Sequence, residues 1–175
     1  MYKNLGLILD AMKILKERGV DFKMIIVGNG PDFDKYKKMV EDAGLSEDYV
    51  FTGAIKDRSL LQGYYLRSDM FIFPSTFDTS SLVPIEAAAH KLPTILVKGS
   101  CTAESIEDGV NGFLAEESGE AFANRLQEII SEKGLIKKVG EEANRSVYRS
   151  WEMVAEEVYE KYQKLIEEHA KKDKK

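Results

Sequence analysis

FIFPSTFDTSSLVPIEAAAHKLP, residues 71–93, reads as a β-strand, a polar loop and the opening of a helix that carries Glu86. A strand that ends in a Ser/Thr turn and enters a helix is how open α/β sheets build anion sites. The amides of the first helical turn lack intrahelical acceptors and point outward. Asp78 stands in the same loop, eight positions before Glu86. Two carboxylates beside an anion site make sense when they grip something neutral, and the hydroxyl groups of a ribose and a hexose fit that description.

The segments on either side carry the same rhythm. Leu5, Ile8, Leu9, Met12 and Leu15 mark one face of a helix that Gly19 stops. MIIVG at 24–28 is a buried strand, DFDKYKKMVEDAG a second helix, YVFTG a short strand, and SLLQGYYLRS a third helix before MFIFP. VPIEAAAHK, TILV, a short helix near 103–107 and FLA continue the alternation, which predicts an α/β fold with a parallel sheet. From Glu120 onward the pattern is helical only, with three closing helices and Trp151 near the start of the last. We expect two units: 1–150 as a nucleotide-binding body, and 151–175 as a helix with a charged tail that packs on that body or on another domain.

Length and composition narrow the function classes. A chain of 175 residues suits one domain with a sizeable core. A net charge of −5 and 43% hydrophobic residues argue against disorder and against a nucleic-acid partner, which would call for a basic excess. The single cysteine, Cys101, allows no internal disulfide. It reads as a small filler. No apolar run approaches the roughly 18 residues that span a bilayer, and the N-terminus lacks the pattern of a signal peptide. A cytoplasmic protein is expected, with weak peripheral attraction of its lysine tail to the inner face of a membrane.

The ordered motifs resemble a known family, the C-terminal, donor-binding domain of retaining GT-B glycosyltransferases (glycosyltransferase family 4). In that family an acid, seven residues and a Glu close the donor site. Here the pattern is Asp78, TSSLVPI, Glu86, followed by AAAHKLPTIL, with Asp where the family normally has Glu. The likeness extends through Lys3-Asn4-Leu5, VGNGP at 27–31, FTGAI at 51–55 and EDGVNGFL at 107–114, and so covers nearly the whole chain. It implies a Rossmann-like, doubly wound parallel sheet with helices on both faces, in the usual strand order 3-2-1-4-5-6. The strand that precedes the lysine in the family lies in the middle of that sheet. It would lie upstream of Met1, together with an acceptor-binding domain, so Met1 is expected to begin a fragment with no acceptor glycosylation of its own.

The resemblance also assigns roles. Glu86 would accept hydrogen bonds from ribose hydroxyls and Asp78 from a hydroxyl of the donor sugar. Lys3 would compensate charge on the departing diphosphate. Ser80, Ser81, Leu82 and Val83 would offer backbone N–H groups to the diphosphate, although the family usually has Phe-Gly where Ser80-Ser81 stand. Ile55 would hold the nucleobase through its backbone, and Tyr64 and Tyr65 either line that pocket or belong to the core. Gly28 and Gly30 look like a phosphate loop but lack the dinucleotide spacing, which favours a turn.

Each role has a plainer counterpart. Glu86, expected in the first turn of its helix, would be favoured there by the dipole alone, by roughly 0.3–1 kcal/mol. Ser81 would be an ordinary helix cap, and Lys3 a solvated lysine. No metal is expected, because two histidines and one cysteine show no ligand spacing. The resemblance implies a nucleoside diphosphate sugar as donor, with UDP-glucose the first choice, and a lipid such as diacylglycerol as the expected acceptor, with polysaccharide as runner-up. The alternative of another class is a non-catalytic nucleotide-sugar-binding module.

Overall fold

The computed structural model describes residues 3–79 and 81–172, and for residues 170–172 the backbone alone. Among the described residues five strands and seven α-helices alternate as anticipated. They are α1 (Leu5–Glu17), β1 (Met24–Val27), α2 (Phe33–Asp42), β2 (Tyr49–Gly53), α3 (Arg58–Arg67), β3 (Phe71–Phe73), α4 (Leu82–Ala89), β4 (Thr94–Val97), β5 (Phe113–Ala115), α5 (Gly119–Ser131), α6 (Leu135–Ser146) and α7 (Trp151–Lys172). Helices α1 and α2 end alike, on Gly19 and Gly44 at φ +74° and +71°. In each case the next amide reaches back over the turn, from Val20 to Leu15 and from Leu45 to Val40. This is the left-handed cap that glycine adopts without a Cβ penalty.

The short helix expected near 103–107 is instead a single 3-10 turn at Cys101–Ala103. Residues 105–107 are held in a loop by the Asn111 side chain. It accepts from the Glu107 N–H (2.8 Å) and donates to the Ser105 carbonyl (3.3 Å) and to Ser146 Oγ (3.1 Å). Asp108 of the same segment accepts from the Leu114 N–H at 2.9 Å and from Arg125 at 2.8 Å. EDGVNGFL is therefore a lead-in to β5 built from side-chain hydrogen bonds.

All strand pairings are parallel, but they fall into two sheets: β1–β2, and β3–β4–β5. The sheets follow the chain in turn, β1 and β2 in one and β3, β4 and β5 in the other. Alternation along the strands explains the layers. Met24, Ile26, Tyr49, Phe51, Ile72, Ile95, Val97 and Phe113 join one core with α1, α2 and α5. Phe71, Phe73, Leu96 and Leu114 point to the opposite face, against Ala103 and Ile106. One shared core thus underlies both sheets, helices cover both faces, and the fold class expected from the sequence is the one found. No six-stranded sheet forms from these residues.

The opposite face is thinner over β1–β2, where Val27 and Val50 are exposed and α3 buries none of its side chains. Helix α7 shows Trp151, Val158, Tyr162 and Leu165 to solvent, and of its described side chains only Val154 is half-buried. Among the described residues no helix is long and apolar enough to cross a membrane.

Candidate functional site

Ligands of open parallel sheets bind in the crevice beyond the carboxyl ends of the strands, where the winding direction reverses. Nearly every residue singled out from the sequence follows such a strand end. Gly28 and Gly30 follow β1, Ile55 follows β2, and Asp78, Ser81, Leu82, Val83 and Glu86 follow β3.

Lys3 reaches this edge from the other end of the sequence. Its ammonium donates to both carboxylate oxygens of Asp78 at 2.8 Å, across 75 positions of chain, and lies 5.5 Å from the centroid of the Phe73 ring. The approach is set by Asn4, which takes the left-handed conformation (φ 50°) and donates its side-chain amide to Glu117 at 3.0 Å. Asparagine tolerates this backbone better than most side chains.

The Lys3 hydrogen bond, and then the nearby Ser75 hydroxyl, hold the Asp78 carboxyl below the usual carboxylate range. A depressed folded-state pKa adds stability that is complete above the unfolded value of about 3.9 and is lost as pH falls through the folded one. Acid titration of the fold should therefore show a loss below about pH 4 that Asp78→Asn lacks. Superimposable acid limbs for the two proteins would mean that the pair contributes nothing in solution.

Glu86 differs from its expected setting. Helix α4 starts at Leu82, which puts Glu86 in the second turn, beyond the strongest influence of the helix N-terminus. The dipole explanation for this acid is correspondingly weakened. Its Oε2 accepts from the hydroxyl of the half-buried Tyr65 at 3.2 Å. Burial first, and then the Glu86 charge, raise the Tyr65 phenol to about 12, which keeps it a donor at neutral pH.

Ser81 caps α4, and its Oγ accepts from the Val83 N–H at a long 3.4 Å. The Val83 amide is therefore already engaged, though by a weak bond that a stronger acceptor can displace. Ser80, the fourth residue of the expected amide cradle, lies outside the described residues. Leu82 is exposed.

The glycine pair behaves as a turn. The Gly28 N–H donates to the Gly53 carbonyl at 2.8 Å, the Gly30 N–H to the Asn29 side chain at 2.8 Å, and the Gly30 carbonyl accepts from Phe33. Ile55 is half-buried just past β2. Cys101 is exposed rather than a filler. It lines a cavity of about 220 Å³ with Thr79, Ser81, Ile85, Thr102 and Ser105. Among the described residues no group of three or more His, Cys, Asp or Glu side chains is gathered for a metal.

The geometry thus brings Lys3 to Asp78 and Tyr65 to Glu86 at one sheet edge. Tyr65 is the residue that sequence reasoning undervalued. The available signal was weak, a tyrosine pair one turn before the end of a helix with few apolar positions.

The family model described as Glycosyl transferases group 1 matches residues 1–146. The alpha-monoglucosyldiacylglycerol synthase of Acholeplasma laidlawii is 27% identical over 178 residues, covering 97% of this chain and 42% of that protein. The C-terminal domain of LpcC from Francisella tularensis, a glycosyl transferase group 1 family protein, matches with a TM-score of 0.72 at 27% identity, over 83% of this chain and 78% of that one. The Anabaena protein HepE, solved in complex with UDP, matches with a TM-score of 0.77 at 21% identity, over 93% and 46%. Across curated relatives such as that synthase, the match spans between 22% and 43% of the relative's length.

Proposed function

Because the chain belongs to the glycosyl transferases group 1 family and has the fold of the C-terminal half of a GT-B glycosyltransferase, we propose that it is the donor-binding half of a retaining hexosyltransferase. The observation that carries this reading is the meeting of Lys3 with Asp78, eight residues before Glu86, beyond the carboxyl end of β3. An acid that holds a hydroxyl, an acid that holds a ribose and a cation for a diphosphate are the groups that a nucleoside diphosphate sugar requires.

In this reading the ammonium of Lys3 exchanges Asp78 for the diphosphate when donor binds. Asp78 is thereby released to accept from a hydroxyl of the sugar. The amides of Leu82 and Val83 at the start of α4 complete the phosphate site, with Val83 leaving the long bond to Ser81. Catalysis then consists largely of stabilising the leaving diphosphate as the glycosidic bond breaks, with lysine and helix amides in place of a metal ion. Ile55 contributes main-chain contacts to the base, and Gly28 and Gly30 shape the turn beside it.

UDP is the nucleotide we expect, as HepE binds it. A lipid acceptor is favoured by the likeness to the Acholeplasma laidlawii synthase, which extends over 97% of this chain. Acceptor contacts and transfer at ordinary rates fall to a further, acceptor-binding domain, and the site works at the inner face of a membrane.

Calorimetric titration with UDP and UDP-glucose tests the reading. Wild type should bind the sugar nucleotide more tightly than UDP. Asp78→Asn, which frees Lys3 from its carboxylate, should leave UDP binding at least as tight as in wild type and erase that preference. A variant that keeps the full preference would remove Asp78 from the sugar site, and a wild type that binds neither compound would remove the function.

A further inference from the structure

Tyr65 comes from α3, the helix with no buried side chain, yet its ring is fixed by three contacts. It stacks on the His90 ring at 5.2 Å between centroids and 14° between planes, meets Phe71 edge-on at 6.2 Å and 70°, and places its hydroxyl 3.2 Å from Glu86 Oε2. His90 lies one helical turn beyond Glu86 on the same side of α4. Its Nδ1 is 2.7 Å from the Glu86 carbonyl oxygen. Tyrosine, histidine and glutamate therefore form a closed triangle in which the ring platform and the helix backbone define one position for the carboxylate.

We propose that Tyr65 is a positioning residue for Glu86: its hydroxyl engages Oε2, selects a single side-chain conformer and leaves Oε1 presented to the vicinal hydroxyls of a ribose. The inference rests on the ribose role of Glu86 proposed above. An exposed glutamate otherwise samples several rotamers, and the entropy of fixing one is then lost on binding. Tyr65 removes that loss beforehand. The phenol oxygen also retains acceptor capacity, so it can take a hydrogen bond from the same sugar.

The test uses the full chain, UDP and 2′,3′-dideoxyuridine diphosphate. Wild type should prefer UDP. Tyr65→Phe keeps the ring contacts, and it should weaken UDP about fivefold to tenfold while leaving the dideoxy compound unchanged, so the preference shrinks. In a Glu86→Ala background, which removes the acceptor of the Tyr65 hydroxyl, the same substitution should add little. The proposal is overturned if Tyr65→Phe retains the wild-type preference. It is also overturned if both ligands weaken equally, which marks a structural role, or if the loss is undiminished in the Glu86→Ala background. A wild type that binds both compounds equally would instead remove the ribose role of Glu86, and the positioning role with it.

Discussion

Glu86→Gln is expected to lower affinity for UDP by about 1.5–3 kcal/mol, roughly tenfold to a hundredfold or more. Glutamine preserves length and most of the helix propensity, and its amide oxygen can still accept from Tyr65. What it removes is the charge on the acceptor of the ribose hydroxyls, and hydrogen bonds to a charged partner are about twice as strong as neutral ones. The position of Glu86 in the second turn of α4 makes the accompanying loss of dipole interaction small. Thermal stability should therefore move little. Calorimetry with UDP, paired with a melting curve, separates the two quantities. A variant that melts earlier but binds UDP like wild type would reduce Glu86 to a structural acid.

Gly140→Ala is expected to destabilise the protein by about 3 kcal/mol, a fall in melting midpoint of roughly 6–12 °C. A methyl group at this position would overlap the carbonyl oxygen of Lys91, 3.0 Å from the Lys91 carbonyl carbon and 3.2 Å from Pro93 Cδ. Two of those three atoms are main chain, so no flexible side chain can swing aside. Helix α6 would have to lift from the turn between α4 and β4. That shift would also break the bonds from the Asn144 side chain to the Ala88 and Ala89 carbonyls at 3.0 and 3.1 Å. Urea denaturation with an unchanged midpoint would show that the two elements are less tightly seated than described.

The order of elements was legible because burial on alternate strand faces and along helix stripes leaves a period in the sequence. MIIV, FIF and TILV read as strands and fold as strands. The segment after β4 was misread because its conformation is dictated by side chains that bond back to the main chain, Asn111 above all, and such bonds have no periodicity. The ion pair of Lys3 with Asp78 was not legible: the family resemblance gave the two residues separate roles at one site, and their direct contact across 75 positions is a product of topology. Glu86 was assigned to its helix correctly but one residue too close to the start, because the Ser81 cap sets the first helical residue at Leu82 rather than Val83. Tyr65 was the harder case. A tyrosine half-buried against a histidine and a glutamate has no local mark that separates it from a core residue.

The break between β1 and β3 has a mechanical meaning for the site that straddles it. Backbone hydrogen bonds fix the spacing of neighbouring strands near 4.8 Å, whereas among the described residues no strand pairing joins the two sheets, whose side chains share one core. Gly28 and Ile55 ride on one plate, Asp78 and Glu86 on the other. The side-chain contacts joining the plates are individually weak and not directional, so the separation of Ile55 from the acid pair is not held by strand-to-strand hydrogen bonds among the described residues. A rigid ligand that touches both plates works as a strut, and the span of that ligand, more than any one contact, sets the width at which the crevice comes to rest.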